Sequence, residues 1–327
     1  MRVFSEGCGE LFTNPDPDAA REHFKKKKRS LEDKRMDIGE AIDRFVHDND
    51  YIAIGGFGGV RIPTAALHEI VRKKKKKLGL SGHTATHDFQ ILAAGECFDR
   101  CDIAYIIGLE ARGISANARK YVESGKVKTV EWTNAGLAWR YKAAMLGVPF
   151  LIGRQSLGAD SLKWSASKVI ECPYTQKKYA TFPALYPDIA IIHVNEADKY
   201  GNATFRGVSI SDEDLARAAK HVIITCERLV DTEVFRNDPH LTMIPYFCVD
   251  AVCEVPFGSY PGNMPFEYFS DEFHIKEWLT AEKDPAEFKK FIEKNIFSCR
   301  NFNEYLEKNG GLEKCQMLRR KEFMLDE

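Results

Sequence analysis

The nine cysteines of this 327-residue sequence include no Cys-x-x-Cys pair. An odd, dispersed set in a chain of this length describes reduced thiols and not a disulfide framework. No apolar run approaches the roughly 20 residues needed to cross a bilayer. The opening residues, Met1-Arg2-Val3-Phe4-Ser5-Glu6, hold no apolar leader, which predicts a cytoplasmic protein without membrane attachment. Charge of neither sign dominates: 47 Lys and Arg face 48 Asp and Glu, for a formal net charge of −1. That balance excludes nucleic-acid binding through global charge. His83 and His87 are four apart, but no His-Glu-x-x-His pattern or third ligand accompanies them, so no metal is predicted. There is no internal repeat.

What is present is an alternation of short apolar runs with helical stripes, in a chain whose 44% apolar content is that of a folded protein. Residues 1–36 are polar and charged. They hold the turn signal Asn14-Pro15-Asp16-Pro17-Asp18 and the run Lys25-Lys26-Lys27-Lys28-Arg29. They predict a surface extension, partly helical from about Pro17, whose lysines form a solvated face. Residues 37–269 predict an α/β domain. Ile38, Ala41, Ile42, Phe45 and Val46 recur at helical spacing behind Asp37 and Glu40, an approximate capping box. Tyr51-Ile52-Ala53-Ile54 predicts a buried strand. Pro63 opens a helix with Ala66, Leu67, Ile70 and Val71 on one face and a lysine run at its C-terminal end. Strands are expected near 78–80, 103–107, 127–131, 149–152, 188–194, 221–225 and 250–255. Helices are expected near 115–124, 136–147 and 215–220. This alternation describes an α/β fold with a largely parallel sheet. Residues 270–327 predict an amphipathic helical tail of the same domain.

The segment Gly55-Gly56-Phe57-Gly58-Gly59-Val60-Arg61-Ile62-Pro63 joins a strand to a helix. Glycines there admit a ligand close to backbone N–H groups at a helix N-terminus, which favours an anion. A dinucleotide fingerprint fails, because the third glycine falls on Arg61 and the acidic ribose partner falls in the lysine run. A P-loop fails because no Gly-Lys-Ser/Thr follows. Glycine spacing alone fits a tight turn with close helix–sheet packing.

Taken with its flanks, the segment resembles the N-terminal signature of family I CoA-transferases: an apolar strand, Gly-Gly-Phe, then a proline opening a helix. Asn117-Ala118-Arg119-Lys120, Ala143-Ala144-Met145-Leu146-Gly147-Val148-Pro149, Pro187-Asp188-Ile189-Ala190-Ile191-Ile192-His193 and Cys248-Val249-Asp250-Ala251-Val252 follow in matching order. The resemblance runs from about Ile38 to Tyr305 and is nearest to glutaconate-type α subunits. It implies a doubly wound, NagB/RpiA-like subunit with coenzyme A as substrate and no metal or bound cofactor. It also implies a β partner in an α2β2 or α4β4 assembly, and exchange of CoA between an acyl-CoA and a free carboxylic acid. In the family a glutamate attacks the thioester to give an acyl anhydride and then a glutamyl-CoA thioester. The nucleophile's Glu-Asn-Gly motif is missing from this sequence, which the resemblance assigns to the half without it.

Within that resemblance Gly55, Gly56 and Phe57 are expected to shape the wall near the acyl group. Arg61 is either a bidentate clamp for a substrate carboxylate or a surface arginine at a helix start. His83 either hydrogen-bonds the acyl end or is an ordinary exposed histidine. Glu110, just past a strand, is a candidate to orient substrate or act as a base, or else pairs with Arg112. Ser115 and Asn117 either donate to the acyl carboxylate or cap a helix. Glu110 and Glu131 are also candidate bases in a second reading, in which the chain serves an acyl-CoA hydrolase, hydratase or decarboxylase. A third reading is a non-catalytic partner chain.

Overall fold

Parallel strands covered on both faces must be apolar throughout, and two segments here meet that demand. All residues of Tyr51–Ile54 are buried, as are all but one of Ile189–Ala197. The computed structural model describes residues 2–106, 108 and 112–325. Along the chain it contains β1 (Val3–Glu6), α1 (Pro17–Phe24), α2 (Ile38–Phe45), β2 (Tyr51–Ile54), α3 (Thr64–Arg72), β3 (Leu78–Gly82), α4 (His87–Ala94) and β4 (Phe98–Ile103). Next come α5 (Ala116–Glu123), β5 (Lys128–Glu131), α6 (Asn134–Leu146), β6 (Phe150–Gly153), β7 (Lys168–Glu171), β8 (Lys178–Pro183), β9 (Ile189–Ala197) and β10 (Ala203–Thr204). The remainder is α7 (Asp212–Ala218), β11 (His221–Leu229), α8 (Thr232–Asn237), β12 (Ala251–Glu254), α9 (Glu272–Ala281), α10 (Pro285–Ile292), α11 (Phe302–Lys308) and α12 (Gly311–Glu322).

The main sheet runs β12-β11-β9-β2-β3-β4-β5, with all neighbours on that path parallel and β10 antiparallel to β9. From β2 the chain winds outward through β3, β4 and β5. From β9 it winds the other way through β11 and β12. The winding reverses between β2 and β9, and open α/β sheets bind ligands at the carboxyl ends of the strands at such a reversal.

Period-two alternation divides the apolar residues between two cores. Ile52, Ile54, Ile189 and Ile191 face one, with α2 to α5 and the C-terminal residues Trp278, Phe288, Phe302, Tyr305 and Leu318. Tyr51, Ala53, Ala190 and Ile192 face the other, with Leu137 and Tyr141 of α6 and Leu215 of α7. Each fully buried isoleucine stabilises the fold by about 1.5–3 kcal/mol. The C-terminal helices are therefore part of the same hydrophobic body as the sheet.

Two features differ from the sequence expectation. Residues 149–152, expected in the parallel sheet, lie in β6 of a second sheet, the antiparallel β1-β7-β8-β6. Phe182 of its central strand β8 packs into the second core. The strand expected at 103–107 is β4, which lies earlier. Its residues Asp99, Arg100 and Asp102 look unlike a buried strand in sequence because Asp102 serves a buried network. Asp102 accepts from Arg140 at 2.5 Å, Tyr51 at 2.5 Å and Trp132 at 2.6 Å.

The N-terminal extension is helical from Pro17, with Asp16 as the N-cap. It is also knitted into the fold. β1 pairs with β7, and Met36 N–H donates to Val252 at the edge of the main sheet. Lys27 is not part of a solvated face. Its side chain is 7% exposed and pairs with Asp250 at 2.7 Å.

Candidate active site

Registration of the central strands fixes the site's floor. Ile54 of β2 lies opposite Gly82 of β3 and Ile191 of β9, so Gly55 and His83 emerge at the same level of the carboxyl edge. The glycine loop between β2 and α3 then folds back on itself. Gly55, Gly56, Phe57 and Gly58 donate their N–H groups to Ile191 O, Asp212 Oδ1, Val60 O and His83 O. These donors are spent on the scaffold, so this loop is a packed turn and not an anion cradle. Gly56 has φ +86°, and a Cβ there would lie 2.5 Å from the Val60 carbonyl oxygen.

Arg61 is corrected from its two expected roles. It is 0% exposed. Nη1 and Nη2 donate to the two Asp212 carboxylate oxygens at 3.1 and 2.8 Å, and Nη2 also reaches Val208 O at 2.6 Å. Its guanidinium lies over the Phe205 ring, 4.3 Å from the centroid. The bidentate fork is occupied by a carboxylate of the protein itself, so Arg61 ties the loop to α7 instead of presenting a clamp. Burial works to raise the Asp212 carboxyl, but Arg61 and the Gly56 N–H hold it below its ordinary value.

His83 is buried and not the exposed loop histidine of one expectation. Its Nε2 is 2.9 Å from Ser211 Oγ, next to Asp212. Burial pushes its imidazole down to about 4, so it is neutral near pH 7. Among the described residues Nδ1 has no hydrogen-bond partner. Thr84, next along, donates N–H to Asn134 Oδ1 at 3.3 Å, and Asn134 Nδ2 donates to Thr84 Oγ1 at 3.1 Å. The loop after β2, the loop after β3 and the starts of α6 and α7 thus meet here.

The structure brings Gly55, Gly56, Phe57, Arg61 and His83 together. It gives Ser115 and Asn117 other tasks. Ser115 Oγ accepts from Ala118 N–H as the N-cap of α5 and donates to Glu282. Asn117 N–H also donates to Glu282. Helix capping therefore accounts for Ser115. Glu110 lies outside the described residues. Its proposed partner Arg112 pairs with Glu272 at 2.5 Å and lies over Gly59, where a Cβ would meet Nη1 at 2.8 Å. Glu131 closes β5 half-buried, its N–H bonded to Trp164 O.

Residues that sequence reading did not single out complete the scaffold. Glu227 at the end of β11 accepts from Tyr268 Oη at 2.7 Å and Phe257 N–H at 2.7 Å, and contacts His193 Nε2 at 2.8 Å. Asn263, beyond this turn, receives the Arg61 N–H and donates to Gly59 O. Asp212 was legible only as an acid in a helix's first turn. Its link to Arg61 spans 151 positions. Five non-glycine residues around the edge, Arg61, Thr84, Tyr105, Phe257 and Phe266, have φ between +46° and +66°. Such strain persists only where surrounding contacts dictate it, and it clusters at functional sites. Tyr105, Ile114, Val208, Ile210, Phe266 and Phe273, from the same loops and the start of α9, are large apolar residues left exposed. Exposed apolar residues grouped on one edge mark an interaction surface.

Among the described residues no group of three or more His, Cys, Asp or Glu is placed to hold a metal ion, and no helix is long and apolar enough to cross a membrane.

The profile of the family described as Coenzyme A transferase matches residues 35–255. An uncharacterized protein of Archaeoglobus fulgidus is 44% identical over 322 residues, 98% of this chain and 72% of its own length. The A subunit of the 3-oxoadipate CoA-transferase of Pseudomonas knackmussii is 33% identical over 275 residues, 83% of this chain and 96% of its own. The A subunit of the glutaconate CoA-transferase of Acidaminococcus fermentans is 31% identical over 295 residues, 85% of this chain and 92% of its own. The crystal structure of glutaconate coenzyme A-transferase from that organism superposes with a TM-score of 0.83 at 29% identity, covering 88% of this chain and 95% of that one.

Proposed function

This chain belongs to the coenzyme A transferase family, and on that premise we propose that it is the α subunit of a two-subunit cytoplasmic acyl-CoA:carboxylate CoA-transferase. The carboxylate nucleophile comes from a β partner seated over the carboxyl edge, in an α2β2 or α4β4 assembly. The observation that carries this reading is the commitment of three carboxylates at that edge. Asp212 holds Arg61, Glu227 holds the turn at Phe257, and Glu272 holds Arg112. Each is spent on the scaffold, while the apolar rim beside them is exposed.

This chain's part in the chemistry is a rigid, water-excluding wall. The partner's carboxylate attacks the thioester carbonyl, thiolate leaves, and the resulting anhydride is opened by that thiolate to release the first acid. A second carboxylate then reverses the sequence. Phe57 at the half-buried tip of the glycine loop, with Val208 and Ile210, supplies the apolar side that strengthens charge–dipole interactions at the reacting carbon. Neutral His83 and the Thr84–Asn134 pair supply polar groups at the floor. The substrate is a dicarboxylic acid such as glutaconate. Support comes from the two relatives named above for their CoA-transferase activity, both over 30% identical, whose names each carry a dicarboxylic acid.

The test is isotope exchange. The chain purified with its β partner should move label from a free dicarboxylic acid into its CoA thioester. Irreversible release of acid to water without exchange overturns transfer in favour of the hydrolase reading.

A further inference from the structure

The opposite edge of the sheet carries a second feature. Where β11 and β12 begin, a cavity of about 320 Å³ opens between the N-terminal segment and α2. That is within the range of small-molecule sites. Its lining includes Lys26, Lys27, Lys28, Lys34, Arg44 and His221.

The lining carboxylates Glu32, Asp33 and Asp250 neutralise only part of this charge. Asp250 is taken by Lys27 at 2.7 Å and by Val222 N–H at 2.8 Å. Asp33 is taken by Arg35 at 2.6 Å, and Glu32 by Ser30 and Lys28. Among the described residues Lys26, Lys34 and Arg44 have no carboxylate within ion-pair distance. Lys34 donates to Tyr246 O at 2.6 Å, and Arg44 lies over the Phe45 ring at 5.1 Å. Burial lowers the Lys34 ammonium below its ordinary value, against the opposing pull of nearby Asp250. The remaining wall is aromatic: the His221 ring stands 5.4 Å from His23, edge-on at 87°, and 5.5 Å from Phe45, tilted by 40°. Converging cations over an aromatic wall suit a small ester whose phosphate takes charge-assisted hydrogen bonds and whose body lies against rings.

We infer that this pocket is a binding site for a small phosphorylated metabolite, built by residues 23–36 against the amino-terminal ends of β11 and β12. Most of those residues precede the stretch matched by the family profile, which begins at residue 35. The site is thus an addition to the shared fold, on the edge away from the glycine loop.

Calorimetric titration of the full chain with ADP and with inorganic pyrophosphate tests it. Both bind, and the apparent Kd rises steeply with added salt. The double variant Lys26→Ala/Arg44→Ala removes two exposed side chains and weakens both ligands by at least about tenfold, with an unchanged melting temperature. A control variant, Lys290→Ala/Lys294→Ala on α10 and the turn after it, binds as the parent does. No heat for either ligand at millimolar concentration, or equal loss in the control, overturns the site.

Discussion

Arg61 shows how one residue's role reverses between sequence and structure. At a helix start after glycines it reads as a substrate clamp. In the fold it is sealed against Asp212. Arg61→Ala would leave a buried carboxylate without its cation, at a cost of about 3–5 kcal/mol. Urea denaturation should therefore show a large loss of stability, and Arg61→Ala/Asp212→Ala should recover part of it. Because Asp212 titrates below its ordinary value, its contribution is complete above the unfolded pKa of 3.8 and is lost as pH falls through the lower folded value. Asp88 behaves oppositely. Burial at the start of α4 raises its carboxyl from 3.8 to about 7. Its contribution is full below pH 3.8 and is lost as pH rises toward 7, because the unfolded chain ionises first. Asp88→Asn should flatten the fall in melting temperature between pH 4 and 7. An unchanged slope would remove Asp88 as its source.

At the scale of elements, the glycine loop separates two uses of glycine. Gly56 has both a positive φ and a carbonyl 2.5 Å from where a Cβ would sit. Gly58 has φ +61° and only Thr84 Cγ2 at 3.9 Å. Gly56→Ala should cost about 1–3 kcal/mol of strain and displace Phe57, so activity falls sharply. Gly58→Ala should cost about 1 kcal/mol. Equal stabilities in chemical denaturation would contradict this account of the loop. Strand β1 makes a second case. Removing residues 1–9 frees the β7 edge, and unpaired edges aggregate. Light scattering should detect association in the truncated chain, and a monodisperse product at the parent's melting temperature would argue against a structural β1.

Apolar runs made β2, β9 and β11 legible, as did the caps Asp37 and Ser115, because those signals are local. β4 was misplaced because its polar residues serve a buried network whose partners Tyr51, Trp132 and Arg140 are remote in sequence. The site was half-legible for the same reason. Its glycines are contiguous, while Arg61–Asp212 and His83–Ser211 are pairs that only the sheet's winding brings together.

At the scale of the whole molecule, an α/β body carries an apolar, strained edge where Asp212, Glu227 and Glu272 are already engaged. The central claim is that the reacting glutamate belongs to a partner. The direct measurement is borohydride reduction of the two-subunit complex loaded with acyl-CoA, followed by peptide mass spectrometry. Reduction converts a glutamyl-CoA thioester to a stable alcohol, and the account predicts that this change falls on a partner peptide with every peptide of this chain unmodified. A reduced glutamate in this chain, at Glu131 or any other position, would contradict it.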